Sequence, residues 1–145
     1  MSNSLNQWSK TDNSGSVDRR ISDSPVVMVV EDEFLIRIMI ADELRHAGYV
    51  VVECGTADEA IDILRSGVGI GVMFTDIRMP GSMDGTSLAQ AVRREFPALK
   101  VVTTSGEKRP ETLTGQFVPK PYSPRSVVHM IDALMGTPAR AFGRG

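Results

Sequence analysis

The chain has 145 residues, 41% hydrophobic and 23% charged, with 16 basic against 18 acidic side chains and a formal charge of -2. That length holds one domain with a real core, too short for a receptor or polymerase, and the mixed charge offers no basic stripe of the kind that neutralises nucleic-acid phosphates. The longest apolar runs fall far short of the roughly 20 residues that span a bilayer, no signal-peptide apolar region opens the chain, and the single cysteine, Cys54, can form neither an internal disulfide nor a zinc site, so a cytoplasmic protein with protein partners is expected, with no nucleic acid and no membrane.

Residues 1–24 are dominated by Ser, Asn, Asp, Gln and Lys, with Leu5, Trp8, Val17 and Ile21 too scattered to form an apolar face, which predicts a disordered N-terminal tail. A folded unit follows over 25–136, and 137–145 reads as a short C-terminal tail. Pro25 to Val30 is a continuous β-branched run, the signature of a strand covered on both faces. Phe34 to Gly48 changes to helical period, with Leu35, Ile38, Met39, Leu44 and Ala47 as its apolar stripe and Gly48 as its stop. Tyr49 to Glu53 is a second strand. Thr56-Ala57-Asp58-Glu59 has the form of a capping box and opens a helix to about Ser66. Val68 to Thr75 is a third strand, Thr86 to Phe96 a helix stopped by Pro97, Lys100 to Thr104 a fourth strand and Gln116 to Pro119 a short fifth. Ser123-Pro124 supplies an N-cap and a proline at the first helical position for a last helix that runs to Met135. The methionines at 28, 39, 73 and 130 fall on apolar faces and are expected to fill core.

Alternating strands and helices imply an α/β fold: a parallel sheet joined by right-handed crossovers, covered by helices on both faces, with ligands bound outside the carboxyl ends of the strands. At those ends stand Glu31-Asp32-Glu33, Asp76, Ser105-Gly106 and Lys120-Pro121. Acids after a fully apolar strand are costly if buried unpaired. A hard divalent cation relieves that cost, because Mg2+ takes oxygen ligands, one or two of them protein carboxylates. Asp32 and Asp76, with the backbone carbonyl of Arg78, make a half-shell, and Glu31 acts indirectly from behind. Lys120 adds an ammonium and Ser105 a hydroxyl, which suits a carboxylate, Asp76, that accepts a phosphoryl group. Taken alone, the Glu-Asp-Glu run suits a solvated helix N-terminus, and Asp76 to Gly81 a plain turn. Joined to Asp76 and Lys120 on one edge, the acids read as a site. His46 and His129 have no companion ligands and are not candidates.

Val29-Val30-Glu31-Asp32-Glu33, Phe74-Thr75-Asp76-Ile77-Arg78-Met79-Pro80-Gly81 with Met83-Asp84-Gly85, Thr104-Ser105-Gly106 and Lys120-Pro121-Tyr122 together resemble the receiver domain of bacterial two-component response regulators over about Pro25 to Met135. The resemblance implies a flavodoxin-like, doubly wound five-stranded parallel sheet in the order 2-1-3-4-5. It also implies phosphorylation of Asp76 by a sensor histidine kinase or a histidine phosphotransfer protein, with Mg2+ on Asp32 and Asp76. Lys120 and Ser105 take part, and Ser105 and Phe117 serve as the switch pair. The expected role is a stand-alone, single-domain response regulator, a switch of protein contacts and not an enzyme, whose downstream target the sequence does not name.

Three departures bear on that reading. Only nine residues, Glu107 to Gly115, separate the fourth and fifth strands, whereas a crossover with its helix takes at least about 10 to 12. The fourth helix is therefore expected to be shortened or replaced by a loop, which alters the usual output face. Arg78 is a long cation two residues after the acceptor, able to overhang the site, and Glu31 stands where the family more often has Asp. Two rivals follow. A phosphatase of the haloacid dehalogenase type wants a second Asp where Arg78 stands. A degenerate receiver, acting as a phosphorylation-independent adaptor, would need no acceptor chemistry.

Overall fold

In the computed structural model, which describes residues 26–113 and 115–136, the first apolar run is β1 (Val26–Val30), and Val27 to Val30 are wholly buried. It is the hub of a five-stranded sheet. The elements run α1 (Phe34–His46), β2 (Val50–Cys54), α2 (Ala57–Arg65), β3 (Val72–Asp76), α3 (Gly85–Glu95), β4 (Lys100–Ser105), β5 (Gln116–Pro119) and α4 (Pro124–Met135). Every strand pair is parallel, as the alternation of strands and helices predicts, and the order is β2-β1-β3-β4-β5, as the resemblance implies. Both expected tails lie outside the described residues.

Alternation along β1 sends Val27 and Val29 to one layer and Met28 and Val30 to the other. The first layer packs Ile40 and Leu44 of α1 and Val127 and Ile131 of α4 on Phe74 and Val102. The second packs Ile61 and Leu64 of α2 and Leu88 and Val92 of α3 on Met73. Burial on both faces is why these strands lack a polar alternation.

The helix ends follow local chemistry. Thr56 Oγ1 accepts the Glu59 amide at 3.1 Å, and the Glu59 carboxylate takes the Gly55 N-H, one residue outside the cap, at 2.8 Å. Asp84 caps Ser87 N-H at the start of α3, and Ser123 caps Ser126 N-H ahead of Pro124. Among the described residues no helix is long and apolar enough to cross a membrane.

Three expectations are corrected. On α1 the stripe facing the sheet is Ile36, Ile40 and Leu44, while Leu35 and Met39, expected inside, are 72% and 56% exposed beside an exposed Phe34. Phe34 to Ile40 is apolar at every position but Arg37, so periodicity left the phase of the helix open, and the i, i+4 row nearest the sheet won. Met39 therefore fills no core. The third strand starts at Val72, not Val68: Gly69 and Gly71 interrupt the run, and Val68 is exposed.

Between β4 and β5 no helix forms among the described residues, in agreement with the shortness of the connection. Its covering role falls to one side chain: Leu113 is buried against Ile77 and Ala89, with Phe117 and Val101 packed beside them. A turn closed by Leu113 N-H to Pro110 carbonyl shapes the segment. The Arg109 guanidinium donates to the Gly115 carbonyl at 2.8 Å and lies 6.0 Å over the Phe117 ring.

Candidate functional site

Parallel strands deliver their last residues to one edge. Asp76 ends β3 and Ser105 ends β4, and the ladder continues past both, with Ile77 N-H on the Thr104 carbonyl and Lys120 N-H on the Ser105 carbonyl, each at 2.9 Å. Glu31 follows β1, its N-H on the Cys54 carbonyl at 3.0 Å and its own carbonyl held by Arg37 Nη1 at 2.8 Å. The backbone thus fixes where each polar side chain begins. The Lys120-Pro121 bond is cis.

Lys120 Nζ donates to Asp76 Oδ2 at 2.5 Å, and Arg78 N-H donates to Oδ1 at 3.0 Å, so both oxygens of a nearly buried carboxylate are held. Burial alone would depress the Lys120 ammonium. The Asp76 hydrogen bond and charge, with Glu31 and Glu33 behind, outweigh it and hold the group above its ordinary value. Glu31, Asp32 and Asp76 offer oxygens that all lie within 4.8 Å of one another. Glu31 is 1% exposed: Oε2 accepts Glu33 N-H at 3.0 Å, while Oε1 is buried without a partner. Burial first, then the charge of Asp76 and the neighbouring Asp32 carboxylate, pushes its carboxyl up to about 7, against the Glu33 amide and the Lys120 charge. An orphaned carboxylate oxygen beside two further carboxylates is the donor set a hard divalent cation satisfies, so these residues fit one.

The cavity at this edge, about 470 Å³, is lined by Asp32, Asp76, Arg78, Ser105, Glu107 and Lys120, together with Glu33 and Gly106. Ser105 Oγ accepts Glu107 N-H at 3.0 Å, turning the chain so that the Glu107 carboxylate meets the Arg78 guanidinium in an ion pair across the mouth. Opposite, Tyr122 packs edge-on to Phe74 with ring centroids 5.8 Å apart, and its hydroxyl is buried without a partner. Burial and then the charges of Glu31, Asp76 and Glu33 push its phenol far up.

The six site residues predicted at the strand ends, Glu31, Asp32, Asp76, Arg78, Ser105 and Lys120, are therefore neighbours. Phe117 stands apart, outside the cavity lining and against Leu113 and Ile77. Two positional roles escaped the sequence reading, which had Gly85 only as part of a motif. Glu107 depends on the turn at Ser105, which spacing does not reveal. Gly85 lies against β3: a Cβ there would sit 1.9 Å from the Asp76 carbonyl oxygen. Its signal was an aspartate N-cap followed by glycine at the first helical position, where a side chain is ordinarily harmless.

The fold and this edge define a doubly wound α/β module with three carboxylates and an ammonium gathered at the carboxyl edge of its sheet. The response regulator receiver domain family matches residues 27–132, and the chain belongs to that family, the receivers of two-component signalling. Sensor kinase CckA of Brucella abortus is 28% identical over 123 residues, covering 79% of this chain and 13% of that protein. Transcriptional regulatory protein ResD of Bacillus subtilis is 30% identical over 117 residues, covering 75% and 47%. The chain spans less than half the length of these curated relatives. Among solved structures, a response regulator receiver protein from Sinorhizobium medicae superimposes with a TM-score of 0.72 at 22% identity, covering 79% of this chain and 97% of that one, a likeness of fold. The receiver domain of hybrid histidine kinase CckA gives 0.65 at 29% identity, covering 74% and 96%.

Proposed function

We propose that this receiver takes a phosphoryl group onto Asp76 from the phosphohistidine of a sensor kinase or histidine phosphotransfer protein in the cytoplasm, and that the modified state changes which protein it binds. An Asp76 oxygen attacks phosphorus, an O-P bond forms, the N-P bond breaks, and its electron pair returns to the imidazole nitrogen. The chain's own groups support this at stated atoms. Lys120 Nζ lies where it offsets charge on the reacting oxygens, Arg78 N-H holds Oδ1 so that the carboxylate keeps one orientation, and the Ser105 hydroxyl is at the same cavity to donate to a phosphoryl oxygen. Mg2+, when bound, supplies a compact positive charge against the transferring group. Asp32, Asp76 and the Arg78 carbonyl would hold it, with Glu31 acting indirectly.

The observation that carries the reading is the Lys120 ammonium on Asp76 Oδ2 inside a three-carboxylate cluster, an arrangement that serves a charged oxygen-bearing ligand. The protein is a phosphoacceptor and switch in this account, without turnover of a free substrate. Incubation with Mg2+ and acetyl phosphate is expected to add the mass of one phosphoryl group, lost on mild base treatment and missing in Asp76→Asn. An unmodified wild-type protein would leave the phosphorylation-independent adaptor as the better reading, and release of phosphate from added phosphoesters the phosphatase.

A further inference from the structure

Among the described residues two buried side-chain polar atoms have no hydrogen-bond partner, Glu31 Oε1 and Tyr122 Oη. One is an acceptor without a donor. The other belongs to a hydroxyl, which can donate. Buried polar groups are ordinarily satisfied, so one orphan of each kind in the same molecule calls for a cause.

The sheet brings the two to one layer. Val27 and Val29 of β1 point into the layer that α1 and α4 cover, and the ladder continues past β1, with Glu31 N-H on the Cys54 carbonyl at 3.0 Å. Two-residue alternation therefore puts the Glu31 side chain on the face of Val29. Tyr122 packs into that same layer. Its ring stands edge-on to Phe74, 5.8 Å between centroids, and Phe74 is the register partner of Val29, one side-chain step below Glu31. Of the charges that raise the Tyr122 phenol, Glu31 is foremost, ahead of Asp76 and Glu33, which agrees with that placement.

We infer that Tyr122 is a positioning residue for the cation site: its hydroxyl holds Glu31 Oε1 through one buried water and so fixes the carboxylate beside Asp32 and Asp76. This role rests on the reading of those three carboxylates as a cation site. Buried water bridges polar groups that are otherwise unsatisfied, and the two orphans are such a pair. With Glu33 N-H on Oε2 at 3.0 Å, both oxygens are then held and the carboxylate keeps one orientation. Each carboxylate oxygen has more than one lone pair, so a water on Oε1 leaves acceptor capacity toward the cation. A phenylalanine would fill the same space against Phe74 without burying a hydroxyl, so packing alone does not account for a tyrosine here. Tyr122 acts only through Glu31.

The test compares wild type, Tyr122→Phe, Glu31→Ala and the double variant, each as the full chain. Calorimetry gives the Mg2+ affinity, and intact mass over time gives the Mg2+ dependence of modification by acetyl phosphate. Tyr122→Phe is expected to weaken Mg2+ binding about tenfold, the lower end of what losing an outer hydrogen-bond partner costs a metal site. The Mg2+ concentration for half-maximal modification rises by the same factor, while the rate at saturating Mg2+ stays within about twofold of wild type, a split that a disturbed fold does not give. In Glu31→Ala the added Tyr122→Phe change has no further effect, because the residue it acts through is gone. Wild-type affinity in Tyr122→Phe, or an equal fall with and without Glu31, overturns the role. A wild type that binds Mg2+ but takes no adduct overturns the phosphoacceptor reading, and calorimetry still decides on Tyr122. A wild type that binds no Mg2+ overturns the cation site and this role with it.

Discussion

Gly85 and Asp76 are in backbone contact: the first residue of α3 lies so close to the last residue of β3 that a Cβ at position 85 would overlap the Asp76 carbonyl oxygen at 1.9 Å, and Gly85 N-H donates to the next carbonyl, Ile77, at 2.9 Å. The Asp76 backbone is thereby clamped from the outside by the N-terminus of a helix. Gly85→Ala has to push the two backbones apart. It is expected to cost about 1 to 3 kcal/mol, the usual penalty for overpacking, read by urea unfolding. It should also slow adduct formation, because Asp76 shifts relative to Lys120. An alanine variant with unchanged stability would show that the contact is not tight.

Lys120 tests the charge argument. Lys120→Ala leaves three carboxylates at one edge without the ammonium, and the rate of modification by acetyl phosphate at saturating Mg2+ is expected to fall about a hundredfold, the scale of losing one preorganised donor. Lys120→Arg should restore little, since a planar fork does not reproduce a point charge at 2.5 Å from Asp76 Oδ2. A variant that is modified as fast as wild type would remove Lys120 from the chemistry.

Glu31 is held in place at a cost, with one oxygen buried and unpartnered. In metal-free protein at pH 8, Glu31→Gln is expected to raise stability by about 1 to 3 kcal/mol by removing a desolvated charge. The same change should weaken the stabilisation that added Mg2+ gives, which in the wild type grows by about 1.4 kcal/mol for each tenfold excess of ion over its dissociation constant. Chemical unfolding with EDTA and with graded Mg2+ measures both. Equal Mg2+ stabilisation in the two proteins would show that Glu31 has no part in holding the ion.

Cys54 supplies a pH prediction away from the site. Burial, then the charge of Glu59, pushes its thiol up to about 12 from 9.0, against an opposing Arg37 charge. The unfolded chain gives up this proton first, so the native state binds more protons between those values, and stability falls as pH rises through that window. At pH 8 the native thiol should react with iodoacetamide about three orders of magnitude more slowly than in the unfolded chain, because labelling waits for unfolding. Rapid labelling in native conditions would contradict its burial at the end of β2.

Much of this was legible because strand and helix periods differ. Apolar runs bounded by turn residues gave all five strands, and alternation with helices gave a parallel sheet, which in turn placed Asp32, Asp76, Ser105 and Lys120 on one edge. Periodicity was silent where a stretch is apolar all round: Phe34 to Ile40 could face the sheet in several phases, and the side chains of Leu35 and Met39 point outward. The start of β3 was misplaced because glycines leave a hydrophobic pattern intact while breaking the strand. Glu107 and Gly85 were hidden for another reason. Glu107 pairs with Arg78 across the fold, and the close approach of Gly85 to Asp76 exists only once the turn between them is made.

The central claim is that Asp76 is where the phosphoryl group lands, and reductive trapping addresses it most directly. Wild-type protein treated with acetyl phosphate and Mg2+, then with borohydride, should yield a peptide in which position 76 has become homoserine, with EDTA abolishing the conversion. Homoserine at another acidic position, or none in modified protein, would contradict the account.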